Sequence, residues 1–134
     1  MTIGLLIITH NRIGEELLHT ATRMLDMCPL LTETIAVQTD SDPDRLRQQA
    51  HTAVERLDQG DGVLVLTDMF GSTPSNIATT LCEAGRVSVV AGLNLPMLVR
   101  VLNYPHLDLV TLTDKALDGG MLGVLCCDPR RPTD

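Results

Sequence analysis

Two residues able to do chemistry stand just past apolar runs. His10 follows the run at 3–8 by way of Thr9, and Asp68 follows the run at 63–66 by way of Thr67. A free imidazole, with a pKa of about 6.5, is largely neutral at pH 7, so one ring nitrogen keeps a lone pair and acts as nucleophile or base. A carboxylate on the other nitrogen fixes the tautomer. It also stabilises the positive ring that forms once the free nitrogen bonds to something, as the aspartate of a Ser-His-Asp triad does. No serine is needed where the histidine itself attacks. After Asp68 comes Gly71-Ser72-Thr73-Pro74-Ser75-Asn76, in which Thr73 reads as a helix cap and Pro74 as the first helical residue. The open amides of such a helix start and the hydroxyls of Ser72 and Thr73 would receive an anion, with Gly71, Ser75 and Asn76 in the same turn. A nucleophilic imidazole, an orienting carboxylate and oxyanion donors together suit phosphoryl transfer to and from histidine, where in-line positioning and charge stabilisation do most of the work.

Taken singly these residues are ordinary: a histidine after a strand is usually a loop residue, and Asp followed closely by Gly is a common turn. What brings them together is the order of elements. Short aliphatic runs recur at 3–8, 34–37, 63–66 and 87–91, separated by segments of helical period. Ile13, Leu17, Leu18, Ala21 and Leu25 mark one amphipathic stripe, and Leu46, Ala50, Ala53, Val54 and Leu57 another. Asp42-Pro43 reads as a cap and first helical residue. Gly60 and Gly85 read as helix-ending glycines, and a further helix is expected from Pro96. Runs that are apolar without alternation are covered on both faces, so the expected fold is α/β: a three-layer, open, mostly parallel sheet with helices on both faces. The first, third and fourth runs read as central and the more polar second run as an edge. Right-handed crossovers then give the strand order 2-1-3-4. Ligands gather beyond the carboxyl ends of such strands, and neighbouring strands lie about 4.8 Å apart, so His10 and Asp68 at adjacent tips are expected to pair. Residues 107–117 read as a helix, 123–127 as a short last strand, and 129–134 as a frayed tail.

Composition removes several alternatives. The chain has 134 residues, enough for one self-sufficient core. Its net charge of -7 and its 1% aromatic content argue against nucleic acid and anionic membrane surfaces. The N-terminal apolar run is too short for a signal core or a membrane span, so a cytoplasmic protein without membrane insertion is expected. Cys28, Cys82, Cys126 and Cys127 lack Cys-x-x-Cys spacing and read as reduced, mostly buried thiols. No two histidines or cysteines share metal-ligand spacing on one element, so no metal is expected, and no Gly-rich nucleotide loop or other cofactor motif is present. His19 and His51 read as helix-surface residues, His106 as a loop residue with at most a slight role at the crevice, and Asp40, Asp42 and Asp44 as a solvated turn. The stretch from Gly92 to Pro96 reads either as a plain break of the fourth run that launches a helix or, its tip being one strand from Asp68, as sharing in the pocket.

The succession Thr9-His10, Glu16-Leu17-Leu18, Gly62-Val63-Leu64, Asp68-Met69-Phe70-Gly71, Thr73-Pro74-Ser75-Asn76 and Gly92-Leu93-Asn94-Leu95-Pro96-Met97-Leu98 resembles the mannose-family EIIA proteins of the bacterial phosphoenolpyruvate:sugar phosphotransferase system, over nearly the whole chain. The resemblance implies one EIIA domain over 1–128. It implies that His10 takes a phosphoryl group from phospho-HPr and passes it to an EIIB component for sugar uptake, with Asp68 hydrogen-bonded to the imidazole. It also implies a homodimer in which the C-terminal strand adds antiparallel to the partner's sheet. Two rivals keep the phosphoryl chemistry: a regulatory module whose phosphorylation state another protein reads, and the phosphoryl-donor subunit of a dihydroxyacetone kinase. A third, a non-catalytic anion or small-ligand binder, does without it. Asn11 and Ser72 stand where the family usually has glycine. Asn tolerates a left-handed backbone, whereas Ser in that conformation would be strained and would alter how the turn holds phosphate.

Overall fold

A computed structural model describes residues 2–128; the tail read as frayed, 129–134, and the domain limit at 128 lie at or outside the edge of the described residues. The elements run β1 (Gly4–His10), α1 (Ile13–Leu25), β2 (Thr32–Val37), α2 (Pro43–Leu57), β3 (Val63–Thr67), α3 (Thr73–Thr79), β4 (Val87–Ala91), α4 (Leu95–Leu102) and α5 (Leu109–Leu122). The four strands form one parallel sheet in the order β2-β1-β3-β4, as the β-α rhythm demands.

Alternate residues of the central strands enter two separate apolar layers. Leu5, Ile7, Leu64 and Leu66 pack with Ala21 of α1, Leu98 and Val101 of α4 and Leu112 and Ala116 of α5. Leu6, Ile8, Val63 and Val65 pack with Leu46, Ala50 and Val54 of α2 and Ile77 and Ala78 of α3. Both faces of β1 and β3 are therefore dry, which is why their sequences are apolar without alternation. The expected stripe on α1 faces the first layer except at Ile13, which is exposed.

Helix starts follow their caps. The Asp42 carboxylate accepts from Asp44 N–H at 3.1 Å with Pro43 in the first helical position. Asn94 accepts from Met97 N–H at 2.9 Å and so begins α4 one residue before Pro96. Asp108 does the same for α5 through Thr111 N–H, also at 2.9 Å, and that helix runs on to Leu122, well beyond the expected 117. Gly60 and Gly85 end no helix: α2 closes on extended Asp58, α3 stops at Thr79, and both glycines sit in later turns with positive φ.

Three expectations are corrected. β4 is not central but the sheet's outer strand, with Val87 and Val90 buried and Ser88, Val89 and Ala91 only partly so. Residues 123–127 form no strand within the chain; after α5 they are exposed, irregular backbone with no ladder partner among the described residues. The four thiols are free and exposed rather than buried, because they lie in the α1–β2 connection, the turn after α3 and the segment after α5, outside both apolar layers.

Candidate functional site

His10 is not the first residue past β1 but its last. β1 outruns β3 in register, Ile8 lying opposite Thr67, and continues along β2 with Thr9 opposite Ala36 and His10 opposite Val37. The chain then turns sharply: Asn11 takes the left-handed conformation at φ 48°, which asparagine tolerates, while its N–H donates to Val37 C=O at 2.9 Å. Asp68 follows β3 directly and reaches sideways to the tip of β1. One carboxylate oxygen, Oδ2, accepts from both His10 backbone N–H at 3.0 Å and His10 Nδ1 at 2.9 Å, and Oδ1 accepts from Met69 N–H at 3.0 Å.

The Asp68 side chain is largely buried, 12% exposed, against 41% for His10. Burial works to raise the carboxyl's pKa, but the hydrogen bonds and charge of His10 and the Met69 amide outweigh it and hold the group below its ordinary value. It is therefore a carboxylate at neutral pH, and a carboxylate only accepts. The proton in the His10–Asp68 bond accordingly sits on Nδ1, and in the neutral ring that tautomer leaves the lone pair on Nε2. This arrangement prepares an imidazole to attack through Nε2 and to carry a positive charge afterwards.

His10 lines a crevice of about 300 Å³ together with Asn11, Val37, Gln38, Thr39, Ser41, Pro43 and Thr73. Of the expected phosphate-binding residues, only Thr73 opens on it. Thr73 is the first residue of α3, not its cap; the cap position belongs to Ser72, whose hydroxyl donates instead to Met69 C=O at 2.5 Å. Ser72 lies at φ −85°, ψ 171°, so the strain expected of a serine replacing glycine does not arise; Gly71, at φ 85°, takes the left-handed position. Ser75 is buried beneath the turn and its hydroxyl oxygen accepts from Gly71 N–H at 3.3 Å. Asn76 is exposed, with its N–H already bonded to Ser72 C=O at 2.9 Å. Gly71, Ser75 and Asn76 thus shape the turn without lining the crevice.

Sequence reasoning missed the opposite wall, the connection from β2 to α2. The strand order alone would have found it, since β2 is the other neighbour of β1 and its tip must lie beside His10. The stretch from Gly92 to Pro96 takes no part in this crevice: Gly92 and Asn94 line a separate depression with Met97, Leu117 and Met121. His106 stands two residues before Asp108, which lies with Gly60, Asp61 and Gly85 at the amino-terminal end of the strands, opposite the tips that carry the site. Among the described residues no cluster of three or more histidine, cysteine or acidic side chains is placed to hold a metal ion, and no helix is long and apolar enough to cross a membrane.

Comparison with known proteins bears on the family and the fold. Residues 4–109 match the EIIA-man family, described as the PTS system fructose IIA component. The chain is 33% identical over 103 residues to the PTS system mannose-specific EIIAB component of Escherichia coli K12, covering 76% of this chain and 32% of that protein. It is 39% identical over 69 residues to the PTS system fructose-specific EIIA component of Bacillus subtilis 168, covering 50% and 47%. The chain thus spans about a third and about half of those relatives. The mannose/sorbose specific IIA subunit of Enterococcus faecalis superposes with a TM-score of 0.85 at 23% identity over 99% of this chain and 100% of that one, a likeness of fold.

Proposed function

The chain belongs to the mannose-family EIIA components of the phosphoenolpyruvate:sugar phosphotransferase system, and from that premise we propose that it is a cytoplasmic phosphocarrier with His10 as the phosphorylated residue. The single observation carrying the reading is the 2.9 Å bond between His10 Nδ1 and a largely buried, ionised Asp68 at the tips of two adjacent strands.

In the proposed step Nε2 of His10 attacks the phosphorus of a donor phosphohistidine, that of phospho-HPr. The donor's N–P bond breaks with its electron pair returning to the donor ring, a new N–P bond forms at Nε2, and the Nδ1 proton stays where it is. The His10 ring becomes cationic, and Asp68 stabilises that charge across an existing hydrogen bond, with no reorganisation during the reaction. Thr73 faces the incoming phosphoryl oxygens, and Ser72 joins it once its hydroxyl turns from Met69 C=O. Gly71, Ser75 and Asn76 hold the turn that presents them. The return step delivers the group to an EIIB component for sugar uptake. Neither a metal nor a cofactor takes part in this scheme.

The same reading gives the protein a second copy. Beyond Val87, which is bridged to Glu83, β4 leaves an outer edge with neither charge nor proline, and the exposed residues just past α5 include Val124 and Leu125 at 75% and 60% exposure, a strand waiting for an edge.

The test is incubation with phosphoenolpyruvate, Enzyme I and HPr followed by mass analysis. An acid-labile, base-stable phosphate on the wild-type chain, absent from His10→Ala, is the expected result. A wild-type chain that stays unmodified overturns the carrier and leaves an anion binder.

A further inference from the structure

Helix α1 lacks a cap of its own. Arg12, in the cap position, lies at φ −96°, ψ 16°, outside the extended region from which a side chain can turn back on the first helical amides, and it makes no capping bond. Nonetheless the buried amide of Gly14, second in the helix, has a partner: it donates to Thr9 Oγ1 at 2.8 Å, across the turn that follows His10. The Thr9 hydroxyl, on a residue only 1% exposed, donates in turn to His10 C=O at 3.2 Å. Gly14 permits this approach because it has no side chain; a Cβ there would stand 2.6 Å from Ile7 Cγ2 and 3.1 Å from Thr9 Oγ1.

We propose that Thr9 is a positioning residue for the phosphoryl-transfer step, holding the His10 backbone in place while it caps α1 from five residues upstream; this deepens the phosphocarrier reading and rests on it. His10 is tied at its N–H by Asp68, at its C=O by Thr9 and at the following amide by Val37. Those three ties fix the direction of its Cα–Cβ bond and hence the aim of Nε2. Thr9 itself points the other way, toward the apolar layer beneath α1, because neighbouring strand residues face opposite sides. It never touches the reacting atoms and acts only through the backbone it holds. In-line transfer is sensitive to such aim, and a displacement of about 1 Å costs on the order of 10²-fold in rate.

The experiment compares wild type, Thr9→Val, which keeps the shape but removes the hydroxyl, and Thr9→Ser, which keeps the hydroxyl. Thr9→Ala, which lets solvent reach the Gly14 amide, replaces Thr9→Val if that variant does not fold. Measured are kcat and KM for transfer from phospho-HPr, and the tautomer of the His10 ring by ¹⁵N NMR. Thr9→Val is expected to lower kcat roughly 10- to 10²-fold with an unchanged KM and to depopulate the Nδ1-protonated form, while Thr9→Ser restores both. Unchanged kcat and ring signals in Thr9→Val, or a Thr9→Ser protein as slow as Thr9→Val, overturn the assignment. A wild-type chain that takes no phosphate refutes the carrier reading, and the ring tautomer then still decides whether Thr9 positions His10.

Discussion

Asp68 uses both of its oxygens: they accept from three N–H groups on His10 and Met69. An asparagine has one acceptor oxygen, so Asp68→Asn must set an amide NH₂ against either Met69 N–H or the two His10 donors, and it loses the charge that balances a phosphorylated ring. Transfer from phospho-HPr is therefore expected to slow by roughly 10²- to 10⁴-fold, read by quenching single turnovers; a rate within threefold of wild type would take Asp68 out of the mechanism. The same bonds link stability to acid. Asp68 binds protons less readily folded than unfolded, because His10 and Met69 outweigh burial. Asp58 behaves alike, because Arg86 Nε donates to it at 2.7 Å, with the Gly60 and Gly62 amides adding to the effect. A depressed folded-state pKa contributes stability above the unfolded value of about 3.9 and surrenders it as pH falls through the folded value. Denaturant midpoints should hold near neutrality and drop below about pH 4, and Asp58→Asn should flatten that drop. An acid limb identical in wild type and Asp58→Asn would contradict this origin.

At the scale of elements, close approaches and turns make different demands on glycine. Gly4 opens β1 against the end of α2, where a Cβ would fall 2.4 Å from the Leu57 carbonyl oxygen, a backbone atom that cannot move aside without shifting the helix. Gly71 has open space around it and only its φ of 85° to justify it. Gly4→Ala should therefore cost about 3 kcal/mol, at the upper end of overpacking penalties, and Gly71→Ala about 1 kcal/mol for the left-handed backbone. Urea midpoints at constant m would show the difference, and equal losses would mean the helix–sheet contact is softer than the geometry implies. The strands, their order and the His10–Asp68 pairing were legible because burial on both faces writes continuous apolar runs, and a parallel order follows from the rhythm of those runs. Other features depend on geometry that residue types do not carry. Whether Thr73 or Ser72 caps α3 is decided by backbone angles, and His10 belongs to β1 only because β2 continues to pair with it. The far wall of the crevice comes from a connection with no reactive side chain to announce it, and Thr9 looked like one more strand threonine.

For the whole molecule, the unresolved demand is the apolar surface beyond β4. Val110, Leu117 and Met121 recur along one side of α5, exposed by 70%, 44% and 73%, and Val124 and Leu125 continue the patch past its end. Leu117, Met121 and Val124 also line a depression with Ala91 at the tip of β4, so the open end of the strand edge, beyond the Glu83–Val87 bridge, and the apolar helix face belong to one surface. A contiguous exposed apolar patch of this kind marks a surface that another chain covers. Pairing of the segment around 124–127 with the β4 edge of a second copy would satisfy both the edge and the patch. Light scattering after size exclusion should give twice the chain mass at micromolar concentration. Val124→Asp combined with Leu125→Asp should give single chains, since a charge on each face of the added strand cannot be buried without a partner. Salt should not dissociate the wild-type pair, because the contact is apolar and the screened charges are mutually repulsive. β3 separates β4 from the strand bearing His10, so the monomeric variant should still accept phosphate. A wild-type protein that is monomeric throughout, or a double variant that stays paired, would show that this surface serves another purpose.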